Sequence, residues 1–227
     1  MLNSSGASSD NSGSRGLADQ DIVLETARMI LRRLTEADAD NLFSLDSDPG
    51  VMRYLTGGVP STRAFIVEQS LPMMLGLYEQ FDGFGFWAAI EKPSGDFMGW
   101  FHFRPDRDHP ENADLGYRLK KPYWGCGLAT EGSRALIDRG FRELGVTKVV
   151  AEAMSQNVRS RRVLEKCGLV LEKTFAYPGA PFPGWRPEDC LEVRYGLTRK
   201  RWEIARVSGD VGIVHTHPLI HKDSASD

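Results

Sequence analysis

The chain has 227 residues, of which 41% are hydrophobic and 26% are charged, and its formal net charge is −3. This length and composition are typical of one globular domain with a core of its own. The near-neutral charge gives no electrostatic case for a nucleic-acid partner, and no apolar run approaches the length of a membrane span. The three cysteines (Cys126, Cys167 and Cys190) lack CxxC spacing, so we expect neither a disulfide framework nor a zinc site.

Both ends of the chain are polar and low in complexity. Residues 1–20 are rich in Ser, Gly, Asn and Asp and have no apolar core of a signal peptide, so we expect a disordered tail and a cytoplasmic protein. The domain is predicted to span residues 21–203, followed by a flexible tail over residues 204–227. His215, His217 and His221 in that tail could be considered as metal ligands. A solvated tail is favoured, because no carboxylate or cysteine lies at helical or hairpin spacing from them.

The first predicted elements are a strand and two helices. Residues 28–34 read as a strand, and Thr35 with Asp38 three residues later resembles a capping box that begins a helix. Apolar residues at three- and four-residue spacing predict a second helix over residues 62–80, which Pro72 should kink or break.

Strands and helices then alternate to the end of the predicted domain. Strands are predicted over residues 84–91, 97–104, 113–120, 148–154, 169–175 and 190–197, with helices over 127–144 and 158–166. The order β-α-α-β-β-β-α-β-α-β-β predicts an α/β (α+β mixed) fold with a mixed sheet that has helices on its faces.

A glycine-containing loop separates the strand at 113–120 from the long helix. Gly125, Cys126, Gly127, Leu128, Ala129 and Thr130 are mostly small, and they run into the first helical turn, whose amides have no partner within the helix. A phosphate or pyrophosphate fits such a helix start, although a tight strand-to-helix turn accounts for the spacing equally well. The Walker Gly-Lys-Ser/Thr motif is absent, and a Rossmann loop would have glycine where Thr130 stands. Glu131 would repel a phosphate, so we expect its side chain to point away from the loop.

A second motif follows the strand at 148–154. Asn157 is predicted to cap the next helix and Gly168 to end it, and Ser160 falls in the first turn.

Together the two motifs resemble the GCN5-related N-acetyltransferase (GNAT) superfamily. YWGCGLATE followed by NVRSRRVLEKCGL is similar to its RimJ/RimL branch, which acetylates the N-termini of ribosomal proteins, and the resemblance covers residues 25–202. Gly127 and Ala129 match the family's Gln/Arg-x-x-Gly-x-Gly/Ala loop, whereas Trp124 departs from its Gln/Arg. The resemblance implies the GNAT fold, a central mixed and mostly antiparallel sheet of about seven strands, flanked by helices, with splayed central strands. Dimers are common in the family, so a homodimer is included in the expectation.

The resemblance also implies acetyl-CoA as co-substrate, no metal, and direct attack of an amine on the thioester. Backbone amides of residues 125–130 would hold the pyrophosphate, and Trp124 belongs to the same loop. Tyr117, Leu119 and Asn157 would contact the pantetheine arm. Ser160 is the candidate proton donor to the leaving thiolate. Asp114 is the candidate general base, with Glu111, Asp82 and Glu152 as rivals.

The acceptor is predicted to be a primary amine, with a protein or peptide N-terminal α-amine preferred. Such an amine has a pKa of roughly 7.7–8 against about 10.4 for lysine, so a weak base suffices. Trp87, Tyr177 and Trp185 are candidate acceptor-binding residues, and the loop over residues 177–187 is a candidate wall of that site. Two alternatives stay open: a small-molecule amine acetyltransferase acting on an antibiotic, a polyamine or an amino acid, or a silent acetyl-CoA-binding module.

Overall fold

The computed structural model describes residues 22–207, which form one eight-stranded sheet. The strand order is β1-β2-β3-β4-β5-β6-β8-β7. The strands are β1 Ile22–Glu25, β2 Met29–Arg33, β3 Gly85–Glu91, β4 Phe97–Pro105, β5 Ala113–Leu119, β6 Lys148–Met154, β7 Val170–Ala176 and β8 Leu191–Thr198. The predicted mixed, mostly antiparallel sheet is confirmed, with one strand more than expected.

The sheet opens between its two central strands. Every neighbouring pair is antiparallel except β5 and β6, which run parallel. That pair meets only at Ala113↔Val149 and Asp114↔Val150, whereas β4 and β5 pair along the whole of β5. Beyond Asp114 the two strands diverge, which produces the predicted splay and leaves a gap at their far ends.

Helices cover the two faces of the sheet unequally. α1 Ala39–Asp46, α2 Pro49–Met52, α3 Arg63–Phe65 and α4 Leu71–Gln80 lie on one face, where α1 and α4 pack over β3 and β4. α5 Leu128–Arg142 and α6 Val158–Lys166 lie on the other face with the larger core, and α7 Arg199–Val207 packs beside them. The first face is therefore apolar over β2–β4 and open toward β6 and β8.

Two glycines let α5 approach the sheet closely. A Cβ on Gly132 would lie 2.5 Å from the Phe101 ring, and one on Gly140 would lie 2.4 Å from the Phe103 ring. The aromatic rings of β4 therefore pack directly against the helix backbone, which sets the height of α5 above the gap.

Local structure departs from the sequence prediction mainly in the N-terminal half. Thr35 and Asp38 form the predicted capping box, but the first turn is a 3-10 helix over Glu36–Asp38. Pro72 does not break the helix. Instead, residues Ile66–Ser70 form a π-helical turn, in which the Leu71 N–H donates to the Ile66 carbonyl. This wider turn accommodates Pro72, which has no N–H to donate, at the start of α4.

The sequence reading also missed β1, α2 and α7. α7 crosses the predicted domain boundary at residue 204, and the rest of both predicted tails, including the three histidines, lies outside the described residues. Between residues 22 and 207, no helix is long and apolar enough to cross a membrane.

Candidate active site

A cleft of about 950 Å³ lies at the gap between β5 and β6, and residues of both sheet faces line it. Side chains alternate along strands, so Tyr117 and Leu119 belong to the face covered by α5, while Gly116 and Arg118 belong to the open face. Because the cleft contacts both sets, it passes through the sheet. A ligand held against α5 can therefore meet a second ligand on the open face.

The predicted anion-binding loop lies at one end of this cleft. Gly125 and Gly127 adopt φ values of 75° and 81°, and a Cβ would be strained there in the left-handed region. Glu131 N–H is the first amide of the α5 turn that donates back, to the Gly127 carbonyl. The amides from Gly125 to Thr130 have no acceptor within residues 22–207, so they can bind an anion at the positive end of the helix dipole.

Arg28 holds this loop from the outside. Its Nε donates to Glu131 Oε2 at 2.7 Å, and its Nη1 donates to the Cys126 carbonyl at 2.8 Å. Glu131 thus faces Arg28 rather than the cleft, as predicted. The ion pair neutralises a carboxylate in the first turn of α5, which keeps the loop attractive to phosphate.

Trp124 fixes the beginning of the same loop. Its Nε1 donates to the Leu119 carbonyl at 2.7 Å, so the loop is tied to the end of β5. Leu119 is expected to offer its backbone amide or carbonyl to pantetheine, and its carbonyl already accepts this hydrogen bond. Cys126 is exposed, and its Sγ lies 3.4 Å from the Trp124 carbonyl.

The second motif brings a serine and a tyrosine together across the cleft. Asn157 Oδ1 accepts the Ser160 N–H at 3.2 Å, which confirms the predicted N-cap. The Ser160 hydroxyl lies 3.2 Å from the Tyr117 hydroxyl. Burial raises the pKa of Tyr117 to about 12, and the Ser160 hydrogen bond opposes that rise only in part. Tyr117 is therefore protonated at neutral pH and can donate.

Positive charge follows the α6 side of the cleft. Arg159, Arg162 and Lys166 all line it and are spaced to share one helix face. The Arg159 guanidinium lies 5.6 Å from the Trp124 ring centroid. Unpaired loop amides together with this stripe of cations fit the phosphates of coenzyme A.

The structure changes the assignment of the general base. Asp114 does not line the cleft, because its Oδ2 faces Arg104 at 2.9 Å and His102 at 3.4 Å. Burial disfavours the charged Asp114 carboxylate, but His102 and Arg104 outweigh burial and hold its pKa well below its usual range. A carboxylate stabilised in this way is a poor proton acceptor, so the prediction for Asp114 is corrected.

Two other carboxylates line the cleft on the open face. Glu152 is held by Arg194 at 2.8 Å. Glu192 lies opposite Met154 in the pairing of β6 with β8. Burial, with a smaller contribution from Glu152, raises the pKa of Glu192. Glu111 and Asp82, which the sequence analysis considered as alternative general bases, are exposed and do not line the cleft.

The predicted acceptor-binding aromatics lie elsewhere. Trp87 is 2% exposed within the large core, so its assignment to the acceptor site is wrong. Tyr177 and Trp185 pack with Phe182 around Met154, and of these four residues only Met154 lines the cleft. These two rings support the wall of the cleft instead of forming it. Tyr54, which meets Trp185 edge to face at 6.0 Å, does line it.

Sequence reasoning missed Glu192 and Arg28 as site residues. A signal for Glu192 existed, since β8 alternates Glu192 and Arg194 with the buried Val193 and Tyr195. Nothing in the sequence placed Arg28 near the loop, because 98 residues separate it from Cys126. Within the described residues, no group of three or more His, Cys, Asp or Glu side chains could hold a metal ion.

Known proteins resemble this chain in sequence and in fold. FsC-acetyl coenzyme A-N(2)-transacetylase of Aspergillus fumigatus is 33% identical over 188 residues, which is 79% of this chain and 77% of the relative. The putative ribosomal N-acetyltransferase YdaF of Bacillus subtilis is 34% identical over 91 residues, which is 40% of this chain and 48% of the relative. The crystal structure of aminoglycoside acetyltransferase AAC(6′)-Ib with coenzyme A covers 78% of this chain and 99% of its own at a TM-score of 0.61, and its 23% identity shows the fold alone.

The acetyltransferase (GNAT) domain family matches residues 28–170, which include the loop, Tyr117, Asn157 and Ser160. The family model covers more than half of the chain, and a relative above 30% identity matches most of its own length, so the chain belongs to the GNAT family of acetyl-CoA-dependent N-acetyltransferases.

Proposed function

We propose that this enzyme acetylates the α-amine of an amino-acyl group, with a protein or peptide N-terminus as the preferred acceptor. The observation that carries this proposal is Glu192, a carboxylate with a raised pKa that lines the open-face side of the cleft. A carboxylate remains a weak base even when its pKa is raised. It matches an amine whose own pKa of roughly 7.7–8 leaves much of it uncharged at neutral pH.

Acetyl-CoA supplies an activated acetyl thioester. Transfer forms a C–N bond and breaks the C–S bond, so one proton must leave the amine and the departing sulfur must be stabilised. Glu192 accepts the amine proton from the open face, directly or through a water molecule. Its neighbour Glu152 attracts the ammonium form of the acceptor into the cleft and is itself balanced by Arg194.

The Tyr117–Ser160 pair faces the leaving sulfur from the α5 side. A thiol has a pKa near 8.5, so Tyr117, whose pKa is about 12, donates a hydrogen bond to the sulfur more readily than a whole proton. Ser160 shares that bond and orients the phenol. Asn157 keeps Ser160 in place through the helix cap, and its side-chain NH₂ is free to donate toward the pantetheine arm.

The loop and α6 hold the remainder of the co-substrate. Amides of residues 125–130 bind the diphosphate, and Arg159, Arg162 and Lys166 add charge for the phosphates. None of these groups contributes to proton transfer, so their loss is expected to raise the KM for acetyl-CoA more than it lowers kcat.

A small-molecule acceptor is the second candidate. It is favoured by the fungal relative, whose name gives transfer from acetyl-CoA to N(2) of FsC. The ribosomal relative favours the protein N-terminus, but it matches a smaller share of this chain. Both acceptors place an amine at the open-face mouth of the cleft.

The test is thiol release with a panel of amines at equal concentration. The panel contains a peptide with a free α-amine, the same peptide blocked at its N-terminus but carrying a lysine, a polyamine and an aminoglycoside. We expect the free α-amine to give the highest kcat/KM. Comparable values on the lysine side chain would refute the α-amine proposal, and saturable coenzyme A binding without turnover of any amine would indicate a silent module.

A further inference from the structure

A cluster of buried polar atoms on the open face of the sheet is left without hydrogen bonds by the fold. Asp46 Oδ1, Trp100 Nε1, His102 Nδ1 and Arg118 Nε are all buried, and none has a hydrogen-bond partner within residues 22–207. Trp100 is only 6% exposed and Asp46 only 5%. Trp100, His102 and Arg118 also line the cleft. Buried polar groups are rarely left unpaired, so their concentration beside the cleft indicates a ligand.

The cluster is rigid. In the β4–β5 register Trp100 lies opposite Arg118, and His102 lies opposite Gly116. Arg118 Nη1 donates to Asp46 Oδ2 at 2.5 Å, and its guanidinium lies 4.9 Å from the Trp100 ring. The rings of Trp100 and His102 stack at 5.8 Å.

Gly116 is what allows the His102 ring to cross β5. A Cβ at this position would lie 2.5 Å from His102 Cε1. The ring therefore packs over bare backbone beside Tyr117, at the edge of the gap where the amine must react. Donors held this firmly lose little freedom when a ligand binds them.

The chemistry of these atoms restricts what can bind. Trp100 Nε1 and Arg118 Nε can only donate, so they require an oxygen acceptor on the ligand. Asp46 does not line the cleft and instead holds Arg118 through their ion pair. A carbonyl oxygen is such an acceptor, and it follows the amine in an amino-acyl amide.

We propose that Trp100 and Arg118 form a subsite for the first carbonyl of the acceptor, with Asp46 holding Arg118 in position. The enzyme would then select amines that carry a carbonyl on the adjacent carbon. This inference rests on the proposed α-amine acetylation and assigns the recognition of its acceptor to named groups. His102 supports the subsite by packing against Trp100.

The test compares two small acceptors of low amine pKa. Glycinamide carries the carbonyl and the amide, whereas 2,2-difluoroethylamine lowers its amine pKa with fluorine and has no carbonyl. We expect the wild-type enzyme to prefer glycinamide by more than about tenfold in kcat/KM, because the buried donors stay unpaired with the fluoroamine. Trp100→Phe, which keeps an aromatic ring but removes the N–H, is expected to reduce that preference about fivefold.

Trp202→Phe on α7 is the matched control, since it removes an indole N–H far from the cleft and should leave the preference unchanged. Binding of N-acetylglycinamide to the coenzyme A complex, measured by calorimetry, gives a readout without turnover. The affinity of the wild-type protein for N-acetylglycinamide should exceed its affinity for N-acetyl-2,2-difluoroethylamine. This comparison does not need the variant, so it still tests the subsite if Trp100→Phe fails to fold.

Equal kcat/KM on the two amines, or a preference that Trp100→Phe does not change, would overturn the subsite while leaving N-acetyltransfer intact. Failure to acetylate either amine or any peptide would instead overturn the proposed function.

Discussion

Two residues at the start of α6 have different expected roles in the reaction. Ser160→Ala removes the hydroxyl that pairs with Tyr117, so we expect kcat to fall about tenfold to a hundredfold with little change in the KM for acetyl-CoA. Asn157→Ala removes the helix cap and the candidate pantetheine contact. It should weaken coenzyme A binding and cost about 1 kcal/mol in the free energy of unfolding. Steady-state kinetics and calorimetric titration separate the two effects, and wild-type behaviour of both variants would contradict the site assignment.

Glu192 links activity and stability to pH in opposite directions. Its carboxylate form is the proposed base, so Glu192→Gln should lower kcat/KM by about a hundredfold and remove the acid limb of the pH–rate profile. Because burial raises its pKa in the folded state, the protonated form stabilises the fold below the unfolded pKa, and that contribution is lost as pH rises through the folded pKa.

The neutral glutamine avoids this loss. The Tm of Glu192→Gln should therefore exceed that of the wild type at pH 7 by more than it does at pH 4, as differential scanning calorimetry can measure. Glu203→Gln on the exposed side of α7 is the control and should change neither property. A Glu192→Gln variant with full activity would return the base assignment to Glu152 or to water.

At the scale of elements, the contact between α5 and β4 depends on the absence of a side chain. Gly140→Ala would drive a methyl group into the Phe103 ring, so we expect a loss of about 1–3 kcal/mol in the free energy of unfolding despite the higher helix propensity of alanine. Gly76→Ala in α4 is the matched control, because its nearest neighbour would be Gln80 at 3.8 Å.

That control substitution should stabilise the protein by about 0.4–1 kcal/mol, since the residue fits a helix without a clash. Urea denaturation of the two variants gives both values. If Gly140→Ala also stabilised the protein, the close approach of α5 to the sheet would be wrong.

At the scale of the whole molecule, α7 is tied to α5 through one buried carboxylate. Asp138 is 5% exposed and accepts hydrogen bonds from Trp202 Nε1 at 2.7 Å and Arg206 Nη1 at 2.9 Å. Asp138→Ala should cost about 2–3 kcal/mol in the free energy of unfolding, because it leaves both donors without their charged partner. Limited proteolysis should then cleave first at α7.

Asp108→Ala on the surface is the control and should be close to neutral. Unchanged stability of Asp138→Ala would mean that α7 contributes little to the domain. The proposed catalytic residues lie on other elements. We therefore expect kcat to stay close to the wild-type value while the free energy of unfolding falls.

Features that depend on neighbours along the chain could be predicted from the sequence. Apolar periodicity predicted β6 and α6 to the residue, and cap chemistry predicted the roles of Asn157 and of the Thr35–Asp38 box. The glycine loop before α5 predicted a helix start with unpaired amides, which the structure places at one end of the cleft, since such amides are a local property.

Which distant side chains meet depends on the folded arrangement of the strands and helices. Asp114 and Glu192 are both strand carboxylates, but His102 and Arg104 of β4 contact Asp114, whereas Glu192 lines the cleft near Glu152 and its pKa is raised by burial. Trp87 and Trp100 are both strand tryptophans, but Trp87 lies in the core under α5, whereas Trp100 lies on the opposite face and lines the cleft. The pKa and accessibility of a side chain depend on groups brought near by folding, so the base and the acceptor subsite could not be read from local pattern.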